Sequence, residues 1–368
     1  MESLLLNLQA DVAELTEQLV NVASVSGNEQ MLADAVQRSL ELYPWLEVTR
    51  ISNTVIARTN LGRDQRVILA GHLDTVPPAN NQSAVRVPAG VALPTGAAAK
   101  GEAIFGLGSC DMKAGVAVAL HAAATIKEPV VDVTYVFYEC EEVEGARNGL
   151  TLVSNAQPEL LQANVAVLLE PSNAAIEAGC QGTLRARVAA QGVRAHSARS
   201  WRGSNAIHSL TGALTTLNNY TADVVLVDGL EYREGLNAVA VSGGIAGNVI
   251  PDEASLVVNY RYAPSVSAQQ AQQRITDLFA DYAVEILDNE QGALPGLTNP
   301  ALAKLIELVD GKIAPKFGWT DVARFAKLGI PAVNLGPGDP QLAHSADEHV
   351  LVADIEHTSA LITEWLTK

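Results

Sequence analysis

The stretch ILAGHLDTVP, residues 68–77, ends an apolar run on an imidazole and a carboxylate, His72 and Asp74. A strand that only packs has no use for that pair. Two more apolar runs end in a similar way: VTYVFYE is followed by Glu141 and Glu142, and VAVLLE closes on Glu170. Asp111, in GLGSCDMKAG, precedes a helical stretch, and His344 follows the apolar run PAVNLG. Each has an ordinary explanation alone: Asp111 suits a helix N-cap, and the others suit solvated strand ends or loops. Together, two imidazoles and several carboxylates at strand ends could hold two divalent metals that share a bridging carboxylate and a water. Mixed nitrogen and oxygen donors suit zinc, whereas oxygen alone would suit magnesium or calcium. Two zinc ions roughly 3.5–4 Å apart activate a shared water and polarise a carbonyl. A carboxylate outside the ligand set must then carry the water's proton to the leaving nitrogen. Glu141 and Glu142 could divide the tasks of ligand and base, and Asp74 could fix the far nitrogen of His72.

These residues need a frame. Up to about residue 175, apolar strands at 67–70, 133–139 and 165–170 alternate with helices, including one over 112–126. Strands that are apolar almost throughout belong to a sheet covered on both faces, and functional groups collect at the carboxyl ends of such strands. The N-terminal residues Leu4, Leu5, Leu8, Val12, Leu15 and Leu19 fall at helical spacing, which predicts an amphipathic helix rather than a signal peptide. Residues 84–102, rich in Ala, Gly, Pro and Val, read as a surface excursion. From about 180 to 290 the pattern changes to strand–helix–strand–strand–helix–strand, with TLRARVAA alternating apolar and polar residues. After Pro300 the helix and apolar-strand pattern returns. The expected fold is α/β, a discontinuous domain with a mixed sheet over 1–177 and 293–368. An α+β (ferredoxin-like) block is inserted at 178–292.

Composition narrows the function. Asp plus Glu total 41 against 24 Lys plus Arg, a net charge of −17, which argues against nucleic acid and anionic membranes as partners. No apolar run reaches transmembrane length, and three scattered cysteines (Cys110, Cys140 and Cys180) fit neither a disulfide framework nor a CxxC zinc site. A cytoplasmic protein is the expectation. Cys110 and Cys140 each neighbour a proposed ligand, so packing and metal coordination both stay open for them. There is no Walker-type Gly-Lys-Ser/Thr, no Gly-x-Ser-x-Gly elbow, and Asp111 stands where a dinucleotide fingerprint wants its third glycine. His121, His208, His349 and His357 lack an acidic partner in a motif and read as structural.

GHLDTVP, GLGSCDMKAG, the Glu141–Glu142 pair, LLEPS and AHSADE together resemble the di-zinc aminoacylase/carboxypeptidase clan over essentially the whole chain. The resemblance implies His72, Asp111 and Glu170 on one zinc, and His344, Glu142 and the bridging Asp111 on the other, with cobalt a possible substitute. It implies Glu141 as general base, Asp74 as the residue orienting His72, and a cis peptide at Asp111–Met112. The inserted block would be the clan's dimerisation lid, making the protein a homodimer. His196, in GVRAHSA, would stabilise the oxyanion from the neighbouring subunit, although a surface loop histidine reads the same way.

Within the clan the chain is most similar to the desuccinylases of diaminopimelate and lysine synthesis. Asn248, Arg261, Thr320 and Arg324, in GNVIPDEASLVVNYRY and WTDVARF, would then recognise substrate carboxylates, since an Arg fork binds a carboxylate bidentately. An ordinary surface ion pair remains the alternative for either arginine. The expected reaction is hydrolysis of a small N-acyl amino acid, N-succinyl-LL-2,6-diaminopimelate, to succinate and the free amine. Deacetylation of N-acetylornithine, or cleavage of another acyl-amino acid or a dipeptide, is the nearest alternative. A non-catalytic metal-dependent binding protein is the alternative of another class. Where related desuccinylases are more basic before the first strand of the inserted block, this chain reads AGCQGT at 178–183.

Overall fold

Four parallel strands form the middle of the larger sheet. The computed structural model describes residues 4–368, and in it Asp132–Tyr138, Arg66–His72, Val165–Leu168 and Ala332–Asn334 run side by side in that order, all parallel. Glu47–Ile51 and Thr54–Arg58 extend one edge, and Ile176–Ala178 and Ile313–Pro315 the other. The 47–51/54–58, 54–58/132–138 and 332–334/176–178 pairs are antiparallel, so the sheet is mixed. The central strands are largely apolar and, apart from the half-buried Arg66, buried, as helices on both faces require. One of those helices, Ala114–Thr125, is itself buried along nearly its whole length. A side chain at Gly115 would collide with the Leu169 carbonyl, so glycine permits the helix to approach the sheet this closely.

The chain folds as two compact units: residues 1–178, 296–314 and 324–368 form the first, and residues 179–295 with 315–323 the second. The 315–323 stretch, read from sequence with the second part of the α/β domain, thus belongs with the inserted block. In that second unit the strands Gly235–Gly243, Glu253–Tyr262, Gly182–Gln191 and Ala283–Glu290 form an antiparallel sheet in that spatial order. Its alternating residues Leu184, Ala186, Val188, Leu256, Val258 and Tyr260 build a core with Ala213 and Ile275 from the helices Thr211–Asn218 and Ala268–Leu278. The α+β pattern expected from the sequence is therefore present.

Three local expectations need correction. The first helix spans Val12–Val20, not residue 4 onward, because the Asp11 carboxylate accepts the N–H groups of Ala13 and Glu14 and starts it there. Met1, Glu2 and Ser3 lie outside the described residues. A hairpin at Val224–Val227 and Leu230–Arg233 has no counterpart in the expected pattern, although Asp228–Gly229, both at positive φ, is a strong two-residue turn signal. The 84–102 excursion has some order of its own. Val85–Val87 pairs with Ala103–Phe105, and Leu93 and Ala99 pack under them. No described helix is long and apolar enough to cross a membrane.

Candidate active site

The ends of the four parallel strands bring the residues singled out in the sequence to one place. His72 is the last residue of its strand, and Glu141 and Glu142 follow Asp132–Tyr138 by three and four residues. Glu170 lies two residues beyond Val165–Leu168, and His344 lies in the loop after Ala332–Asn334. Asp111 arrives from the turn Ser109–Lys113, where it and Met112 have non-helical backbone angles and are joined by a cis peptide. Asp111 is not a helix cap. The helix starts at Ala114 without a side-chain cap, and the Asp111 carboxylate is turned instead toward two histidines.

Those contacts define two donor sets. Asp111 Oδ1 lies 3.0 Å from His72 Nε2, and Oδ2 lies 3.3 Å from His344 Nε2. His344 Nε2 is also 2.7 Å from Glu142 Oε1. Donor atoms of His72, Asp111 and Glu170 lie within 4.8 Å of one another, and so do those of Asp111, Glu142 and His344. Asp111 belongs to both sets. Glu141 joins His72 and Glu142 in a third grouping of the same size. Imidazole nitrogen and carboxylate oxygen are the donors zinc takes, and burial of His72 and Glu170 provides the dry surroundings that strengthen them.

The electrostatics follow from this crowding. Burial opposes a charged His72 ring, yet the carboxylates of Asp111 and Asp74 hold its pKa well above the usual imidazole value. Asp111 and Glu142 push His344 up to about 10. Asp111 is held far below the carboxylate range despite its burial, by His344 and His72.

Asp74 is fully buried and touches more than His72. His72 Nδ1 lies 3.0 Å from the Asp74 backbone carbonyl and 3.5 Å from its carboxylate. The carboxylate itself accepts the backbone N–H of Glu141 on Oδ1 (3.0 Å) and that of Glu142 on Oδ2 (3.1 Å), with the Ser26 hydroxyl at 2.7 Å. Sequence reasoning missed Ser26, and it missed Glu348, quoted only as the end of AHSADE. The buried Glu348 carboxylate accepts the N–H groups of Cys110 (3.1 Å) and Asp111 (3.0 Å), while burial raises its pKa to about 7. No residue-type pattern distinguishes it from a solvated loop acid.

The remaining singled-out residues fall as follows. Arg324 is in the first unit, donating to the Thr151 hydroxyl at 2.9 Å and packing against Gly145 in the loop that follows Glu142. His196, Asn248, Arg261 and Thr320 are in the second unit. There His196 is exposed and accepts the Ala198 N–H on Nδ1, and the Asn248 carbonyl accepts the Ser197 N–H. Arg261 donates to Asn259 Oδ1 and lines an open cavity of ≈ 590 Å³ with Gln181, Arg233 and Phe317. Thr320 is nearly buried. All three cysteines are free and buried; Cys110 donates to the Asp339 carbonyl and belongs to neither donor set containing Asp111. Among the other histidines, His121 rests on the Leu8 carbonyl and His349 on that of Asp347.

Residues 68–368 match the peptidase family M20/M25/M40. The chain belongs to this family. It is 49% identical over 365 residues to a Mycobacterium tuberculosis protein named "Putative succinyl-diaminopimelate desuccinylase DapE", covering 98% of this chain and 99% of that one. It is 44% identical to a succinyl-diaminopimelate desuccinylase of Corynebacterium glutamicum, covering 99% of this chain and 98% of the other. Among solved M20-type structures, a Staphylococcus aureus tripeptidase superposes with a TM-score of 0.77 at 20% identity, covering 98% of both chains. A dinuclear metal-binding M20 peptidase of Bacillus subtilis superposes with a TM-score of 0.63 at 15% identity, covering 97% of both. These superpositions establish the family's mixed α/β fold in this chain.

Proposed function

We propose that this chain hydrolyses N-succinyl-LL-2,6-diaminopimelate to succinate and LL-2,6-diaminopimelate, in lysine and diaminopimelate synthesis. One observation carries the reaction class: Asp111 faces His72 with one oxygen and His344 with the other, so one carboxylate serves two donor sets. The acyl group rests on the 44% and 49% identical relatives and their names.

His72, Asp111 and Glu170 would hold one zinc, and Asp111, Glu142 and His344 the other, with cobalt able to substitute. Metals held there would supply an activated water and a polarised amide carbonyl. Glu141 accepts the water's proton and delivers it to the leaving nitrogen. Asp74 keeps Glu141 aimed through its backbone N–H. Arg261 and Arg324, with Asn248 and Thr320, bind the carboxylates of the substrate, where guanidinium forks give bidentate recognition.

Residues 1–178, 296–314 and 324–368 are the catalytic domain, and 179–295 with 315–323 are a lid through which two chains form a homodimer. His196 of one chain donates to the oxyanion in the site of the other. The free cysteines support a reducing, cytoplasmic location.

Parallel assays of succinyl-diaminopimelate and acetylornithine with the zinc-loaded protein test the reading. The succinyl substrate is expected to turn over faster. Preference for the acetyl substrate overturns the acyl-group assignment. Release of no amine from any acyl-amino acid overturns the enzyme itself.

A further inference from the structure

Three successive backbone N–H groups, those of Cys140, Glu141 and Glu142, each end on a carboxylate. Two of the three go to Asp74, as described. The N–H of Cys140 goes to Glu29 Oε1 at 3.2 Å, and that oxygen also accepts the Gly27 N–H at 2.7 Å and the Cys140 thiol at 3.4 Å. Glu29 comes from a different part of the chain, just before the helix Gln30–Leu40, and is fully buried. Its other oxygen, Oε2, is buried with no hydrogen-bond partner.

A buried carboxylate with one oxygen unpaired is costly unless its other oxygen is well satisfied. Here Oε1 takes two backbone N–H groups and a thiol. Cys140 has φ of +57°, a left-handed conformation that a non-glycine residue adopts only when its surroundings impose it. That turn redirects the chain from the Asp132–Tyr138 strand to the Glu141–Glu142 pair. The segment carrying Glu29 is stitched to the neighbouring strand end as well. Ser26 N–H donates to the Thr75 carbonyl, Thr75 N–H to the Ser24 carbonyl, and the Ser24 hydroxyl to the Leu73 carbonyl. Residues 24–29 therefore join the two strand ends that present His72 and Glu141.

We propose that Glu29 is a positioning residue: by holding the Cys140 N–H it fixes the left-handed turn that aims Glu141 and Glu142. The inference rests on Glu141 being the general base, and adds a residue that itself touches neither substrate nor metal. Removing the carboxylate leaves the buried Cys140 N–H without its acceptor and frees the Gly27 N–H, so the turn relaxes and Glu141 drifts. A misplacement on the order of 1 Å costs about a hundredfold in rate. Glutamine keeps an acceptor oxygen where Oε1 sits, and should keep the turn.

The test compares wild type, Glu29→Ala and Glu29→Gln, each loaded with zinc and corrected for the folded fraction. Two readouts are taken: kcat and KM on succinyl-diaminopimelate, and hydrogen–deuterium exchange of the peptide containing residues 139–143. Glu29→Ala should lose about 10–100-fold in kcat with KM little changed, and lose exchange protection at 140–142. Glu29→Gln should restore most of both. If Glu29→Ala does not fold, Glu29→Asp, one methylene short, takes its place. Unchanged kcat per folded molecule, or unchanged protection, overturns the proposal. So does a third zinc per chain that Glu29→Ala abolishes, because Glu29, Glu139 and Cys140 would then be a metal site. A wild type without activity overturns the assigned reaction, whereas the exchange readout judges the turn separately.

Discussion

The carboxylate of Asp74 accepts the backbone N–H of Glu141 at 3.0 Å, and its second oxygen takes that of Glu142 at 3.1 Å. One buried acid thus orients the proposed base and a proposed metal ligand together, and reaches His72 from the same residue. Asp74→Asn replaces one acceptor oxygen with an NH2 group facing an N–H donor. We expect activity or zinc affinity to fall about 10–100-fold, the range for residues that support metal ligands. Steady-state kinetics and zinc titration check it. An Asp74→Asn enzyme with wild-type kinetics and zinc affinity would show that these contacts do not matter.

Glu141 and Glu142 are neighbours with different tasks. Glu141→Ala should retain two zinc ions and lose about 10²–10⁴-fold in kcat, the usual contribution of a general base. Glu142→Ala should lose metal from the site shared with His344, whose Nε2 lies 2.7 Å from the Glu142 carboxylate. Metal analysis after gel filtration separates the two. The reverse pattern means the roles are exchanged.

The acids around His72 and His344 raise both imidazole pKa values, the latter to about 10. In chelator-stripped protein the His344 ring therefore carries a proton at pH 7, and the acids around His72 favour its protonated form. Zinc binds neutral imidazole, so its uptake must release those protons, and its affinity must rise with pH until the rings are neutral. Calorimetric zinc titration at pH 7, in buffers of different ionisation enthalpy, should report proton release on binding. No dependence on the buffer contradicts the assignment of these rings as ligands.

Acid stability should depend on Asp132. Burial works to raise its pKa, but the N–H groups of Leu61 (2.8 Å) and Arg63 (2.9 Å), the Thr59 hydroxyl and Arg66 bring it below the ordinary carboxylate value. A carboxylate whose folded pKa is depressed stabilises the fold above its unfolded pKa of about 3.9, and that stability is lost as pH falls through the folded value. Asp132→Asn should lower stability at pH 7 by about 1–3 kcal/mol and weaken the dependence on pH below about 4. Urea unfolding at pH 7 and pH 3.5 measures both. Equal losses at the two pH values contradict the charge-based account.

The dimer has its own test. Glu141→Ala and His196→Ala proteins, each inactive, are unfolded and refolded together. If His196 acts across the dimer, one site in each mixed dimer carries both lesions and the other carries neither, so activity partly returns. No recovery despite demonstrated subunit exchange rules out action in trans.

The parts of this protein readable from its sequence are those written in local pattern. Continuous Val, Ile and Leu runs mark strands covered on both faces, and the shift to alternation at TLRARVAA marks a sheet with one wet face. Strand ends then name His72, Glu141, Glu142 and Glu170 as candidates, because parallel strands present their carboxyl ends together. Tertiary structure decided the rest. Asp111 reads as a helix cap until folding sets His72 on one side of it and His344, 233 positions later in the chain, on the other. Ser26, Glu29 and Glu348 carry no local signal, since a buried carboxylate and a solvated one are the same letter. The importance of the two acids comes from which backbone N–H groups they meet, those of Gly27 and Cys140 for Glu29 and of Cys110 and Asp111 for Glu348, and that of Ser26 from the Asp74 carboxylate its hydroxyl reaches. Periodicity reports which face a residue takes, but hydrogen-bond partners far apart in sequence are chosen only when the chain closes on itself.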